Sequence, residues 1–472
     1  MFQYRTYKNF DDEKYMFDIF QTFNSCDFSD GNVNVCARWF VNSLSDIIDI
    51  HAPFRTKVCR DNNAVSMNQD WRRANHKRNM ARNTKDLFPS DANFENYRKL
   101  RNESTKLRTK SRQIYFQERC EGGEKNQHFW KTVKPFLSAK YSNSSNSISL
   151  LENNTIITDV REVCDLFNTY FKTIADHIGF NHEIPDDFSD DNSMLSMFNA
   201  YESHPSIMAI HSHKCPDVDD FQLQPVSVDY VFNLLEDLNI RKGTGCDLIP
   251  AKLVKKGSAP LAQCLTDLIN MSIEECQFPD PLKLAEIAPL FKKENDLMKE
   301  NYRPVSVLTI ISKIVERCYA DQLGIFFENK FSAFLSAYRR RYGCQSALLR
   351  MIELWRQALD QGHFVGAVAM DLSKAFDSVP HALLIAKLRA YGVGIKTCKL
   401  FSSYLSNRYQ RVRLHGEKSE WENITRGFPQ GSILGPLFLM SFSMMYFGLR
   451  MKQIYLISLM TIFLVSRIRK FQ

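Results

Sequence analysis

The chain has 472 residues, 61 Lys and Arg against 53 Asp and Glu for a formal net charge of +8, and 44% hydrophobic residues. That is the make-up of a globular protein with room for two or three domains, not of a disordered chain, and the positive balance suggests an acidic partner. The twelve cysteines are scattered with no CxxC pair, which excludes a disulfide scaffold and reads as an intracellular chain with reduced thiols.

The N-terminal stretch MFQYRTYKNFDDEKYM carries charges where a signal peptide needs an apolar core, so no targeting signal is read. Residues 1–70 read as mixed helix and loop. Residues 71–215 form a basic, mostly helical region with polar loops. Its first part, WRRANHKRNMARNTK, YRKLRNESTKLRTKSRQIYF and HFWKTVKPF, repeats Lys and Arg at helical spacing. Arg72, Arg73, Lys77, Arg78, Arg98, Lys99, Arg101, Lys106, Arg108, Lys110 and Arg112 are the candidate phosphate contacts. The interleaved aromatics Trp71, Tyr97, Tyr115, Phe116, Phe129 and Trp130 fit an inward stripe better than base-stacking platforms, because aromatics at helical spacing usually pack.

Residues 139–155, AKYSNSSNSISLLENNT, read as a linker or turn cluster. Val163, Leu166, Phe167, Tyr170, Phe171 and Ile174 then fall at helical spacing. Residues 181–217 are acidic and Ser-rich and are expected to be a loop. The loop holds His204, His211, His213 and Cys215, but no second ligand pair follows at zinc-finger spacing. SVDYVFNLLEDLNIRKGTGCDLIPAKLVKKG reads as helix, glycine turn, helix.

The stretch FVGAVAMDLSKAFDSVPH (364–381) organises the rest: an apolar run ends in Asp371, as a buried strand ends at a sheet edge, where a carboxylate can grip a metal. MDLSKAFDSVPH resembles motif A of reverse transcriptases of non-LTR, LINE-type and jockey-like retrotransposons. NYRPVSVLTIISKIVER (301–317), FLSAYRRRYGCQSAL (334–348) and RGFPQGSILGPLF (426–438) match further motifs in the family's order.

The resemblance implies an α+β fold, the fingers and part of the palm of a right-hand polymerase, over residues 216–440. It implies Mg²⁺-dependent DNA synthesis from dNTPs on an RNA template, primed by target DNA, with Asp371 bridging two metal ions and the Leu372 carbonyl as a further ligand. By the same resemblance, Arg303 grips the triphosphate, Lys292 or Lys293 is a second cation, and Phe376 lies under the incoming sugar. Gln430 and Gly431 face the nucleotide and template base, Gly343 and Gln345 lie on the template side, and Lys242, Gly243, Asp247 and Pro250 open the fingers. Asp377 is expected to cap or orient the next helix. The family works in nucleus and cytoplasm, and no protein partner is implied.

The sequence departs from that family at both ends. The opening residues resemble the segment after the family's endonuclease, so the chain reads as truncated there. The Ala-Asp-Asp hairpin and the thumb are not found. Residues 441–472 contain no Asp or Glu, and Ser458-Leu459-Met460-Thr461-Ile462 permits codons that spell Phe-Ala-Asp-Asp-Asn in an offset frame. A shift of frame between Met440 and Ser443 is therefore expected, with 441–472 an out-of-frame tail, an incomplete two-metal site, exposed palm strands and no polymerase activity. Two other classes stand beside this one. The first is a non-enzymatic RNA- or DNA-binding remnant that uses the basic region. The second is a protein anchored in a membrane by its tail, which is disfavoured because Ile454–Val465 is only about twelve residues long where ~20 are needed.

Overall fold

The computed structural model describes residues 2–24, 28, 31–57, 68–120, 148–174, 191–212, 220–292, 294–331, 335–370, 374–443, 454–458 and 461–468. The chain divides into two compact units, residues 1–3 with 56–147, and residues 4–55 with 148–472.

The first unit is built on helices α3 (Gln69–Leu87) and α4 (Asp91–Cys120). Asn68 caps α3 by accepting from the Trp71 amide at 2.9 Å. Trp71, Ala74 and Ala81 on α3 and Ser104 and Ser111 on α4 are buried. Half-buried Arg78, Lys85, Tyr97, Leu100, Leu107 and Tyr115 continue those rows at steps of three or four, so each helix turns one stripe of mixed small and long side chains inward. Trp71, Tyr97 and Tyr115 thus turn inward, as the aromatic spacing predicts. Phe129 and Trp130 lie outside the described residues.

Short strands β1 (Phe2–Arg5) and β2 (Phe54–Lys57) each contain a boundary between the units, and the second unit holds α1 (Asp12–Phe23) and α2 (Val33–His51). The described end of the Ser/Asn-rich stretch, from residue 148, forms a turn, one of the two readings of its sequence. Strands β3 (Leu150–Glu152) and β4 (Thr155–Ile157) pair antiparallel across Asn153 and Asn154, whose φ angles of +49° and +62° are those of a two-residue hairpin turn. Helix α5 (Val160–Thr173) follows, capped by Asp159, with Val163, Phe167, Tyr170 and Phe171 buried as their spacing predicts.

The expected acidic loop is also corrected. It contains α6 (Asp191–Tyr201) and α7 (Pro205–Ser212), because Met194, Met197, Tyr201, Ile207 and Ile210 recur at helical spacing and bury. His204 caps α7 through its ring, accepting from the Ser206 amide at 3.2 Å. His213 and Cys215 lie outside the described residues.

Helices α8 (Val228–Glu236), α9 (Ala251–Lys256) and α10 (Ser258–Glu274) lead to strands β5 (Leu284–Phe291) and β6 (Tyr302–Leu308) and then to α11 (Ile310–Glu328). In the glycine turn the close approach falls at Gly245, where a Cβ would lie 2.7 Å from the Thr309 backbone. Gly243 has open space around it. Next come α12 (Cys344–Asp360), strand β7 (Phe364–Met370), the single turn α13 (Ala375–Ser378), α14 (His381–Ala390) and α15 (Ile395–Leu405). Strands β8 (Arg408–Leu414), β9 (Glu417–Lys418) and β10 (Glu422–Ile424), helix α16 (Gly435–Ser443), and strands β11 (Ile454–Ser458) and β12 (Thr461–Ile468) complete the chain.

One sheet runs in the order β10-β8-β5-β6 with β9 on β8. Strands β5 and β8 are parallel, and β5–β6 and β8–β10 are antiparallel. Helix α5 covers it through Phe167, whose ring meets Tyr302 edge-on at 4.9 Å, with Ile287 and Val412 beneath. The main core gathers the helices around Phe278, Tyr319, Tyr404 and Phe438. Two of its buried hydroxyls find partners: Tyr15 donates to the Leu253 carbonyl at 3.0 Å and Tyr319 to Ser272 Oγ at 2.8 Å.

A second sheet has the order β11-β12-β7, with Ile462 opposite Met370 and Ile468 opposite Phe364. The edge of β7 that the sequence leads one to expect bare is therefore paired, by residues of the tail whose β-branched and aromatic content suits a strand. Among the described residues no helix is long and apolar enough to cross a membrane.

Candidate nucleotide site and nucleic-acid interface

Strand β6 is an edge strand. This is why it tolerates Pro304, which has no N–H to offer a neighbour. Two residues on, the Ser306 amide donates to the Gln430 carbonyl at 2.8 Å, so the Pro429–Gly431 loop docks on that free edge. Gly431 has φ of +133°, and a Cβ there would lie 2.6 Å from the Ser306 carbonyl oxygen. Only glycine fits.

The loop is held from three further sides. Gly427 and Phe428 donate to the carbonyls of Val379 and Phe376, each at 2.9 Å. His381, buried, bonds the Gly427 carbonyl through Nε2 at 2.6 Å, and burial pushes its pKa down to about 4. Glu316 on α11 is fully buried and accepts from the amides of Ile433 at 2.6 Å and Leu434 at 3.4 Å, just ahead of α16. Burial raises its pKa, and the nearby Arg408 charge and these two amides oppose the rise.

Gln430 Nε2 donates to Asp377 Oδ2 at 2.6 Å. This corrects the expected role of Asp377. Helix α14 has Pro380 at its N-cap and no side-chain cap, and the carboxyl turns to Gln430 instead. Burial lifts the Asp377 pKa to about 6 against the pull of Gln430 and the Lys374 charge. Lys374 itself bonds the Tyr170 hydroxyl, tying α5 to the motif A turn.

Phe376 packs edge-on against Phe428 at 5.4 Å and Tyr338 at 6.5 Å. Burial raises the Tyr338 pKa, and the charge of Arg303, half-buried on β6, lowers it. Arg303, Phe376, Gln430 and Gly431 are thus brought into one neighbourhood. Lys292 is exposed past the end of β5, its amide donating to the Asn301 carbonyl at 2.8 Å. Lys293 lies outside the described residues. Gly343 and Gln345 are exposed at the start of α12.

Asp371 and Leu372 lie outside the described residues, so the metal geometry expected of them is not described. Among the described residues no group of three His, Cys, Asp or Glu side chains gathers as a metal cluster. Asp377, the described carboxylate nearest to Asp371 in sequence, is committed to Gln430.

Residues 291–459 match the family model of reverse transcriptase (RNA-dependent DNA polymerase). The chain carries a reverse transcriptase domain. Its relatives include the RNA-directed DNA polymerase from mobile element jockey of Drosophila funebris, 27% identical over 240 residues, which is 50% of this chain and 26% of that protein. The jockey polymerase of Drosophila melanogaster is 25% identical over 257 residues, 52% of this chain and 27% of its own. The probable RNA-directed DNA polymerase from transposon BS of Drosophila melanogaster is 29% identical over 224 residues, 46% and 24% respectively. The chain therefore matches about a quarter of the length of each. These relatives are RNA-directed DNA polymerases of mobile elements, and the match to the reverse transcriptase model covers residues 291–459 of this chain. The matched range of the reverse transcriptase domain runs into the tail, past Ser443.

The basic region forms a separate feature. Helices α3 and α4 carry 14 Lys and Arg against 6 Asp and Glu, leaving 47 of each on the rest of the chain. All of the net positive charge of this protein therefore resides on that hairpin. Arg72, Arg73, Lys77, Arg98, Lys99, Arg101, Lys106, Arg108, Lys110 and Arg112 are exposed, and Arg78 is half-buried at the seam, donating to Asn79 Oδ1 at 2.7 Å.

Sequence reasoning missed Glu316 and the Asp377–Gln430 pair. A carboxylate among Ile310, Ile311, Ile314, Val315 and Cys318, on an otherwise apolar helix face, was the available signal for Glu316.

Proposed function

We propose that the reverse transcriptase domain is built for Mg²⁺-dependent DNA synthesis on RNA, primed by a target-DNA 3′ end, with the nucleotide received beside Phe376, Gln430 and Arg303. The observation that carries this reading is the glycine-only docking of the Pro429–Gly431 loop on β6, with Gln430 on Asp377. Asp371, with the Leu372 carbonyl, is the metal-binding position of the reading. A divalent ion there would lower the pKa of the attacking hydroxyl and neutralise phosphate charge. The protein's own contribution is orientation. Arg303 supplies a planar donor fork for phosphate oxygens, and Phe376 supplies an apolar face for the sugar.

On the same reading the polypeptide as written does not polymerise, because one carboxylate cannot clamp two divalent cations and the tail lacks any Asp or Glu. The purified chain with an RNA template, DNA primer, dNTPs and Mg²⁺ is expected to give no template-dependent incorporation. Detectable incorporation would sink this part of the reading. Sequencing DNA and transcript across codons 430–472 tests its cause: an offset frame reading Phe-Ala-Asp-Asp supports it, and a closed frame without the motif removes it.

A second reading is favoured by the charge on α3 and α4: a nucleic-acid-binding protein that acts without catalysis. RNA affinity that falls steeply with salt and is unchanged in Asp371→Ala supports it.

A further inference from the structure

Around the nucleotide loop almost every backbone group is fixed, and one freedom remains. The backbone on either side of Gln430 is held through Ser306, Phe376, Val379 and Glu316, while the Gln430 side chain could still rotate its carboxamide by half a turn. The two orientations are chemically different, because one offers an acceptor oxygen to the pocket and the other a donor NH₂. A carboxylate resolves the choice. An ionised Asp377 can only accept, so the atom 2.6 Å from Oδ2 must be Gln430 nitrogen.

We infer that Asp377 is a positioning residue of this site: its carboxylate locks the Gln430 amide so that the carboxamide oxygen faces the pocket, which therefore selects a ligand group that donates a hydrogen bond. This rests on the nucleotide reading above and deepens it. A sugar hydroxyl or an exocyclic amine of a nucleotide fits, and a carbonyl or phosphate oxygen does not. Asp377 is well placed to hold its partner rigid. It sits in the single turn α13, where its own amide donates to the Lys374 carbonyl at 2.9 Å, directly after Phe376. The cavity beside Gln430 and Asp377 is also lined by Pro304, Ser306, Phe428 and Arg426.

The test uses the full chain labelled with ¹⁵N-glutamine. The Gln430 side-chain NH₂ signals are identified as the pair lost in Gln430→Met. They are expected to shift with pH with a midpoint near 6 and to become insensitive to pH in Asp377→Asn. The other charged groups around Asp377 are Lys374 beside it and Lys172 of α5 and Arg426 in the lining of the cavity, and burial of His381, behind Gly427, pushes its pKa down to about 4. A wild-type Gln430 signal indifferent to pH between 4.5 and 8 would overturn the inference.

The second readout is binding of a fluorescent dNTP to the protein with an RNA template, DNA primer and Mg²⁺. Asp377→Leu is expected to weaken it about tenfold, the scale of one lost hydrogen bond to a charged group, and Asp377→Asn, which keeps an acceptor, to recover most of the loss. Equal weakening in both variants with equally lowered melting temperatures means a merely structural residue and overturns the proposal. If the wild type binds no nucleotide, the nucleotide reading fails, and the NMR titration still decides whether Asp377 sets the Gln430 amide.

Discussion

The α3–α4 hairpin and the nucleotide loop use charge in opposite ways. On the hairpin, charge is plentiful and mostly solvated: of fourteen cations, Arg78 and Lys85 are half-buried at the seam and the ten candidate phosphate contacts besides Arg78 are exposed. At the loop, charge is scarce and enclosed, and each carboxylate has a named task. Glu316 holds two amides and Asp377 holds one amide side chain. The difference teaches where specificity resides. The hairpin can recognise phosphate only by its sum, whereas the loop depends on single atoms.

The comparison breaks most visibly at Glu316. Glu316→Ala leaves two amides without their acceptor and the buried Arg408 without a nearby opposite charge, and about 3–5 kcal/mol of stability should go, read as a lower urea midpoint at unchanged slope. Gly431→Ala should follow at about 1–3 kcal/mol, because both the positive φ and the Ser306 carbonyl oppose a Cβ. A loss below a few tenths would mean that the loop does not dock on β6.

Next in size is a pH effect. The Asp377 pKa is raised, so its contribution favours the folded state below pH 4 and is lost as pH rises toward about 6. The His381 pKa is lowered, so its contribution is present above pH 6.5 and is lost as pH falls toward about 4. The two slopes oppose each other in the wild type. Asp377→Asn should make stability climb more steeply between pH 4 and 6, and His381→Gln should make it fall, each by about 1–2 kcal/mol across the window. Parallel slopes in both variants would show that neither group titrates as its surroundings dictate.

The smallest effect belongs to the hairpin. Arg101→Gln should change stability by no more than about 0.5 kcal/mol. It should lower the logarithmic salt dependence of single-stranded RNA binding by about 0.7, the share of one phosphate. An effect on stability as large as that of Glu316→Ala would erase the contrast between the two regions.

The elements that carry strong periodicity or unmistakable motifs were legible in the sequence. The α5 pattern, the strand before motif A and the glycine-rich nucleotide loop all follow from local spacing. The hairpin at Asn153-Asn154 was also written locally, since two Asn between short apolar runs suit a turn with two positive φ angles, but the surrounding serines hid it. Helices α6 and α7 were hidden because acidic and seryl surfaces outnumber their five buried apolar residues. The tasks of Glu316 and Asp377 were not legible at all. Their partners lie 117 and 53 residues away, and no local pattern announces a hydrogen bond across such a distance.

The parallel pairing of β5 with β8 has a consequence for how this protein is made. Glu286 on β5 is buried and finds its charge partners in Arg411 at 2.6 Å, Arg413 at 2.7 Å and Lys418 at 3.2 Å. A ribosome that has finished β5 must add about 117 residues before Arg408 opens β8. At ~5–20 residues per second this takes roughly 6–23 s. Throughout that interval β5 presents an open edge, and Glu286 waits there as an unpaired anion. That keeps the edge wet and discourages its capture by another nascent strand. The residue that is neutralised in the finished sheet therefore serves, during synthesis, as the guard of its edge.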